Sequence, residues 1–114
     1  MRLFLLGLAG AAGALGRYGL GAALGTGPAT TLGINVLGSF LLGLLLAATP
    51  VPRDVQIVLG TGLLGAFTTF STFTVETAEL VRDGRALAAG VYVIGSVTLG
   101  LAAAAVGYLV GSRT

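Results

Sequence analysis

Gly60-Thr61-Gly62-Leu63-Leu64-Gly65-Ala66-Phe67-Thr68-Thr69-Phe70-Ser71-Thr72-Phe73-Thr74 carries no charge and changes character halfway along. Its first half is glycine and leucine; from Thr68 to Thr74, seven residues in a row are hydroxylic or aromatic. Hydroxyls of this kind bond back to carbonyls one turn earlier and bend a helix, and Gly65 removes side-chain bulk just before they begin. The stretch therefore predicts a broken or distorted helix near a membrane midplane. Irregular backbone is tolerable at that depth only against protein or a water-filled cavity. Carbonyls freed there can coordinate a cation, as those of discontinuous helices do in transporters. Phe70 and Phe73, three apart, face roughly the same way. Phenyl rings have a negative face and a positive edge, so two readings stand: ordinary aromatic packing, or edge-on contact with a poorly hydrated anion.

Outward from this stretch, the whole chain suits lipid. It has 114 residues, 55% hydrophobic and only 9% charged, with a mean hydropathy of +1.01. A soluble domain carries roughly 25% charged residues, and a chain this short leaves much of its area exposed. Four apolar segments, about 3–24, 29–48, 55–80 and 86–110, meet the length of roughly 20 residues that a crossing helix needs. They are separated by Gly25–Pro28, by Pro50-Val51-Pro52-Arg53-Asp54 and by Arg82–Arg85, with the prolines disfavouring helix continuation. Arg2 and the apolar run behind it resemble a signal peptide, but three further spans favour a first helix. The expected class is an all-α, four-span integral membrane protein, a single transmembrane domain over 1–114.

The 20 glycines accompany only 3 prolines and show no three-residue period. Small residues in apolar spans let helix backbones approach closely. Without Cys or His, the chain has no disulfide, no thiolate ligand and no imidazole base, and no other nucleophile–base pair is evident. It is not expected to be an enzyme. The net charge of +2 is scattered singly, unlike a nucleic-acid footprint. Four crossings place both termini on one side with Arg2, Arg53 and Arg113; Arg82, Arg85 and the end of the span holding Arg17 lie opposite. Orientation follows the Lys/Arg difference between sides, and here it is about three to three. That favours insertion both ways and an antiparallel, dual-topology homodimer; a single weakly determined orientation is the alternative.

Polar residues inside the spans mark candidate sites. Thr31, Asn35 and Ser39 recur at intervals of four and share a helical face. The Asn35 carboxamide has two N–H donors, open to an anion or to a neighbouring helix. Arg17 is costly in a span unless it snorkels or is paired; it reads either as an attractor of anions at a vestibule or as a snorkelling side chain. Tyr92 and Ser96 are four apart on the last span, Tyr92 donating either into a pore or to another helix. Glu76 reads as an end-of-helix charge.

Gly10-Ala11-Ala12-Gly13-Ala14-Leu15-Gly16-Arg17-Tyr18, Gly33-Ile34-Asn35-Val36-Leu37-Gly38-Ser39-Phe40 and Gly65-Ala66-Phe67-Thr68-Thr69-Phe70-Ser71-Thr72-Phe73 together resemble the CrcB/Fluc family of fluoride channels over nearly the whole chain. The resemblance implies a dual-topology homodimer with two fluoride pathways, four helices per subunit and the third broken at midmembrane, in a prokaryotic inner membrane. It implies that Asn35 lines the pathway, that Phe70 and Phe73 are ring-edge residues, and that Ser71 and Thr72 belong to the same polar track. Thr31 joins that track. Tyr92 matches a hydrogen-bonding tyrosine, Glu76 an acidic position near the pathway, and Arg17 the first-span arginine. The backbone carbonyls of Gly65 and Thr68 match positions holding a structural sodium ion at the dimer centre, with no organic cofactor. Ala66 stands where glycine is common in the family, a small departure. The implied activity is passive, electrogenic efflux of cytoplasmic fluoride, with fluoride, membrane lipid and a second copy of the chain as partners and no nucleic acid.

A small multidrug exporter shares four short spans but needs a membrane-buried carboxylate to carry protons, and the first two spans contain none. A fluoride/proton antiporter would use Glu76 as its titrating group, but the resemblance points to a different fold from such exporters. A membrane scaffold would use the same polar residues only to join helices.

Overall fold

A computed structural model describes residues 1–114, and every regular element in it is helical. Helix α1 spans Arg2–Leu24 and α2 spans Pro28–Ala47. A third limb joins α3 (Arg53–Gln56), a π-helical stretch (Ile57–Leu64), α4 (Gly65–Phe67) and α5 (Phe70–Arg82); α6 closes the chain over Ala86–Gly111. Four helical segments are long and apolar enough to cross a membrane: Arg2–Leu24, Pro28–Ala47, Arg53–Arg82 and Ala86–Gly111. With 26 residues in α6 and a rise of 1.5 Å each, that helix is about 39 Å long. It exceeds the roughly 30 Å hydrocarbon layer.

The turns follow from their residues. Between α1 and α2, Gly25 and Gly27 take φ of 93° and 133°, a region that glycine enters without a Cβ penalty. Pro28 then opens α2, where its missing N–H is not needed, and Thr30 Oγ1 donates to Gly25 O at 2.6 Å. Between α5 and α6, Gly84 has φ 79°; its N–H reaches Val81 O at 3.1 Å and the Arg85 N–H reaches Leu80 O at 2.8 Å. These two bonds form a Schellman cap that satisfies the last carbonyls of α5. At the opposite end of the molecule, Arg2 Nη1 meets Asp54 Oδ1 at 2.9 Å, tying the start of α1 to α3. Gln56 Nε2 donates to the Leu45 and Leu46 carbonyls at 3.4 Å each, serving the open end of α2.

Glycines bring the backbones together. On α2 and α6, a Cβ added at Gly43 would overlap Ala104 O, one at Gly107 would overlap Phe40 O, and one at Gly111 would overlap Leu44 O. Between α1 and the third limb, a Cβ at Gly13 would overlap Leu63 O, and one at Gly62 would lie 3.0 Å from Leu6 O. The chain thus packs as two close helix pairs, α2 on α6 and α1 on the third limb, through backbone contact rather than large side chains. Only 14 of 114 residues are buried, and most leucines and valines are exposed.

The π-helical stretch lies outside the expectations from the sequence. Its wider turn shows at its end, where the Gly65 N–H donates to Gly60 O five residues back. It coincides with the Gly60-Thr61-Gly62 run, in which Gly60 and Gly62 are buried. Single π turns inside α-helices are frequent beside functional sites.

Candidate functional site

Regular helix stops after Phe67 and resumes at Phe70. Thr68 takes φ −81° and ψ 156°, and Thr69 takes φ −145° and ψ 111°; both are extended. Two extended residues expose backbone groups that a helix would pair, and side chains from three helices take them up. Thr69 caps α5 itself: its Oγ1 accepts the Thr72 N–H at 3.1 Å and donates to Thr72 Oγ1 at 2.9 Å. Such a cap satisfies one of the orphan donors at a helix start. From α2, Asn35 treats Thr69 as a strand would treat its neighbour. Asn35 Nδ2 donates to Thr69 O at 3.1 Å, and the Thr69 N–H donates to Asn35 Oδ1 at 2.8 Å. From α1, Arg17 Nε donates to Ala66 O at 3.2 Å. Thr68 Oγ1 bonds back to Leu64 O at 3.0 Å, the local competition that its residue type favours.

Thr69 is only 8% exposed, so the pairing with Asn35 matters energetically. A buried N–H or C=O left without a partner costs about 1–3 kcal/mol. The carboxamide of Asn35 gives and takes at two separate atoms, which matches the N–H and C=O of one extended residue.

The carbonyls of Gly65 and Thr68 lose their ordinary helical donors in this arrangement. In a continuous helix the Thr69 N–H would serve Gly65 O and the Thr72 N–H would serve Thr68 O; Asn35 Oδ1 and Thr69 Oγ1 take those two N–H groups instead. Neutral carbonyl oxygens suit a hard cation such as sodium. The donor set therefore fits the ion that the resemblance implies, and no cluster of carboxylates or imidazoles competes for a metal.

Beyond the break, the phenol of Tyr92 on α6 donates to Glu76 Oε1 on α5 at 2.8 Å. The Tyr92 ring meets Phe73 edge-on, with centroids 5.1 Å apart at 62°, and Phe73 is tilted 50° to Phe70 at 5.8 Å. An aromatic series thus runs from Phe70, 76% exposed, inward to buried Tyr92. Ser71 lies exposed beside it, its Oγ 3.4 Å from Thr69 Oγ1. A cleft of about 350 Å³ between α1, α2 and α5 is lined by Arg17, Thr31, Thr69, Thr72 and Glu76. Thr72 and Glu76 also line a neighbouring cleft of about 530 Å³ that reaches Ser71 and Glu79. Both open near the Gly25–Gly27 turn, whose Thr26 and Gly27 line each.

The fold therefore brings Thr31, Asn35, Thr72 and Glu76 to one polar region, with Phe73 and Tyr92 alongside. Ser39 turns away from it, its Oγ lying beside Gly100 of α6, because a step of four residues rotates a helical side chain by about 40°. One participant was absent from the expected set. Thr69 is central, and its signal was a threonine immediately before the α5 start, a common capping residue. Ser96 Oγ is buried without a partner, one turn from Tyr92.

Four helical segments long and apolar enough to cross a membrane, with a polar seam at an interruption in the third, define a multi-pass helical membrane protein. The chain belongs to the family described as CrcB-like protein, Camphor Resistance (CrcB), whose model matches residues 4–108. Among its relatives is a protein named fluoride-specific ion channel FluC 2 in Moorella thermoacetica, 45% identical over 96% of this chain and 95% of the relative. One named fluoride-specific ion channel FluC in Thermus thermophilus is 44% identical over 96% of this chain and 93% of its own length. A Deinococcus radiodurans protein of the same name is 53% identical over 75% of this chain and 71% of its own.

Proposed function

We propose that this protein is a fluoride-selective channel through which cytoplasmic fluoride leaves a prokaryotic cell passively, along pathways completed by an antiparallel second copy in the inner membrane. The observation that carries the reading is the polar seam at the break: Thr31, Asn35 and Thr72 supply donors, and the Phe70–Phe73–Tyr92 series supplies ring edges. Fluoride is small, holds water tightly and accepts strong hydrogen bonds. A path for it has to replace hydration with hydroxyl, carboxamide and ring-edge contacts while binding weakly enough to let it go. Asn35 keeps a second Nδ2–H beyond the one given to Thr69, and the positive edges of Phe70 and Phe73 attract an anion without a full charge to trap it. Arg17, at the cleft that leads to the seam, adds a positive field for anions. Ser71 extends the hydroxyl track toward the exposed face, and Tyr92 and Glu76 close its inner wall.

Two features support a dimer. Phe70, Ser71 and Gly65 are exposed in the single chain, so the outer member of the aromatic series has no wall. Arginines are balanced between the two ends, which permits both orientations. A sodium ion held by the Gly65 and Thr68 carbonyls of two antiparallel copies would supply positive charge at their contact. Weakly acidic HF enters cells and dissociates inside, so a passive anion path lowers internal fluoride.

Efflux from liposomes loaded in parallel with fluoride or chloride tests the reading, with valinomycin and potassium providing charge balance. Fast, ionophore-dependent fluoride release with little chloride release is expected. Folded dimers that release neither ion would return the protein to a scaffold role.

A further inference from the structure

We propose that Asn35 and Thr69 are positioning residues for a bound cation, each withdrawing an N–H from the main chain so that a carbonyl is left free to ligate. The inference rests on the cation site of the proposed function and goes beyond it, since neither side chain belongs to that site as read from the sequence. The register carries the argument. Helical pairing runs from an N–H to the carbonyl four residues earlier. The donor for Gly65 O is the Thr69 N–H, taken at 2.8 Å by Asn35 Oδ1. The donor for Thr68 O is the Thr72 N–H, taken at 3.1 Å by Thr69 Oγ1.

Of the two carbonyls between them in the sequence, Ala66 O receives Arg17 Nε at 3.2 Å and is thereby unsuited to a cation. The side chains around the break thus treat its carbonyls differently: Ala66 O is given a cationic donor and Thr69 O an amide donor, while Gly65 O and Thr68 O lose theirs. These two are three residues apart, on the limb whose Gly65 and Phe70 are exposed, so a two-fold related copy doubles the oxygen set at one point. Neutral oxygens without a carboxylate suit a monovalent hard cation; a divalent ion draws on carboxylates. Asn35 would then serve the anion seam with its remaining donor and the cation with its acceptor, coupling the two sites through one amide plane.

Thermal unfolding of the full-length purified protein in sodium chloride and in N-methylglucamine chloride tests this, because a ligand bound only to the folded state raises the midpoint. Sodium is expected to raise the midpoint of the wild type and of Thr69→Ser, which keeps the accepting hydroxyl. Thr69→Val and Asn35→Ala are expected to lose the sodium-dependent rise, since the Thr72 and Thr69 N–H groups can return to Thr68 O and Gly65 O. No sodium effect on the wild type overturns the cation reading and the inference with it. A sodium effect on the wild type that survives in full in Thr69→Val or Asn35→Ala overturns the inference alone. Should the valine variant not fold, Asn35→Ala carries the same decision, and a Thr69→Ser protein without the sodium-dependent rise overturns the proposal in either case.

Discussion

Asn35 is the sole asparagine of the chain, and its amide makes two bonds to one residue on another helix. Replacing it with alanine leaves the Thr69 N–H and C=O without that partner. The Thr69 N–H can return to Gly65 O, which leaves the Thr69 C=O unpaired; at about 1–3 kcal/mol for such a buried group, Asn35→Ala is expected to lower stability by that amount, read as a drop in the thermal midpoint in detergent. Fluoride efflux should fall with it. Tyr92 offers a finer probe. Tyr92→Phe keeps the ring against Phe73 and removes only the hydroxyl given to Glu76. A double-mutant cycle of Tyr92→Phe with Glu76→Ala should give a coupling energy of about 0.5–1.5 kcal/mol, and a coupling near zero would mean that the two do not act together. Asn35 was visible in the sequence as a carboxamide in an uncharged span. Its partner was not, because spacing within α2 carries no information about the register between α2 and the third limb. Arg17 shows the same limit: neither snorkelling nor a vestibule field announces that its Nε meets Ala66 O.

Helices here associate through backbone approach, and that makes some glycines indispensable and others dispensable. A methyl group at Gly107 would overlap Phe40 O, so Gly107→Ala forces α2 and α6 apart. The expected loss is about 1–3 kcal/mol, the range for overpacking a tight interior. Gly90 sits on the same helix with nothing within 4 Å of a built Cβ. Gly90→Ala should be neutral or stabilising by up to about 1 kcal/mol, since glycine carries that entropic penalty in a helix. Thermal midpoints of the two variants, one below and one at or above the wild type, check the contrast; equal effects would argue against this packing. The composition announced many close approaches, yet all 20 glycines look alike in the sequence. Only the pairing of α2 with α6 and of α1 with the third limb separates those that touch backbone from those that face outward. The π-helical turn over Ile57–Leu64 was equally hidden, because it depends on how the third limb seats against α1.

At the scale of the molecule, the charges balance. Arg2, Arg53 and Arg113 lie at one end and Arg82, Arg85 and the Arg17 end of α1 lie at the other. Arg2 and Asp54 form an exposed pair at 2.9 Å, and such surface pairs contribute little to stability, about 0–1 kcal/mol. Orientation is therefore sensitive to one or two added charges. If the protein works as an antiparallel dimer, a variant with arginines added at the terminal end and a second with arginines added at the opposite end should each insert one way and each lose fluoride efflux. Coexpression of the two should restore it. Full efflux from either variant alone would show that opposed orientations are not required.

Lipid as solvent, four apolar helices and their approximate limits were determined by the sequence alone, because each depends on composition and length within one segment. So was the chemistry available at the seam, an amide, hydroxyls, phenyl rings and one carboxylate. The tertiary structure decided which of these groups meet. It placed Asn35 on Thr69, Arg17 on Ala66 O and Tyr92 on Glu76, and so decided which backbone oxygens remain free. The physical reason is that hydrogen bonds across helices depend on axial register and rotation, which are settled by glycine packing between distant segments rather than by the residues that form the bonds.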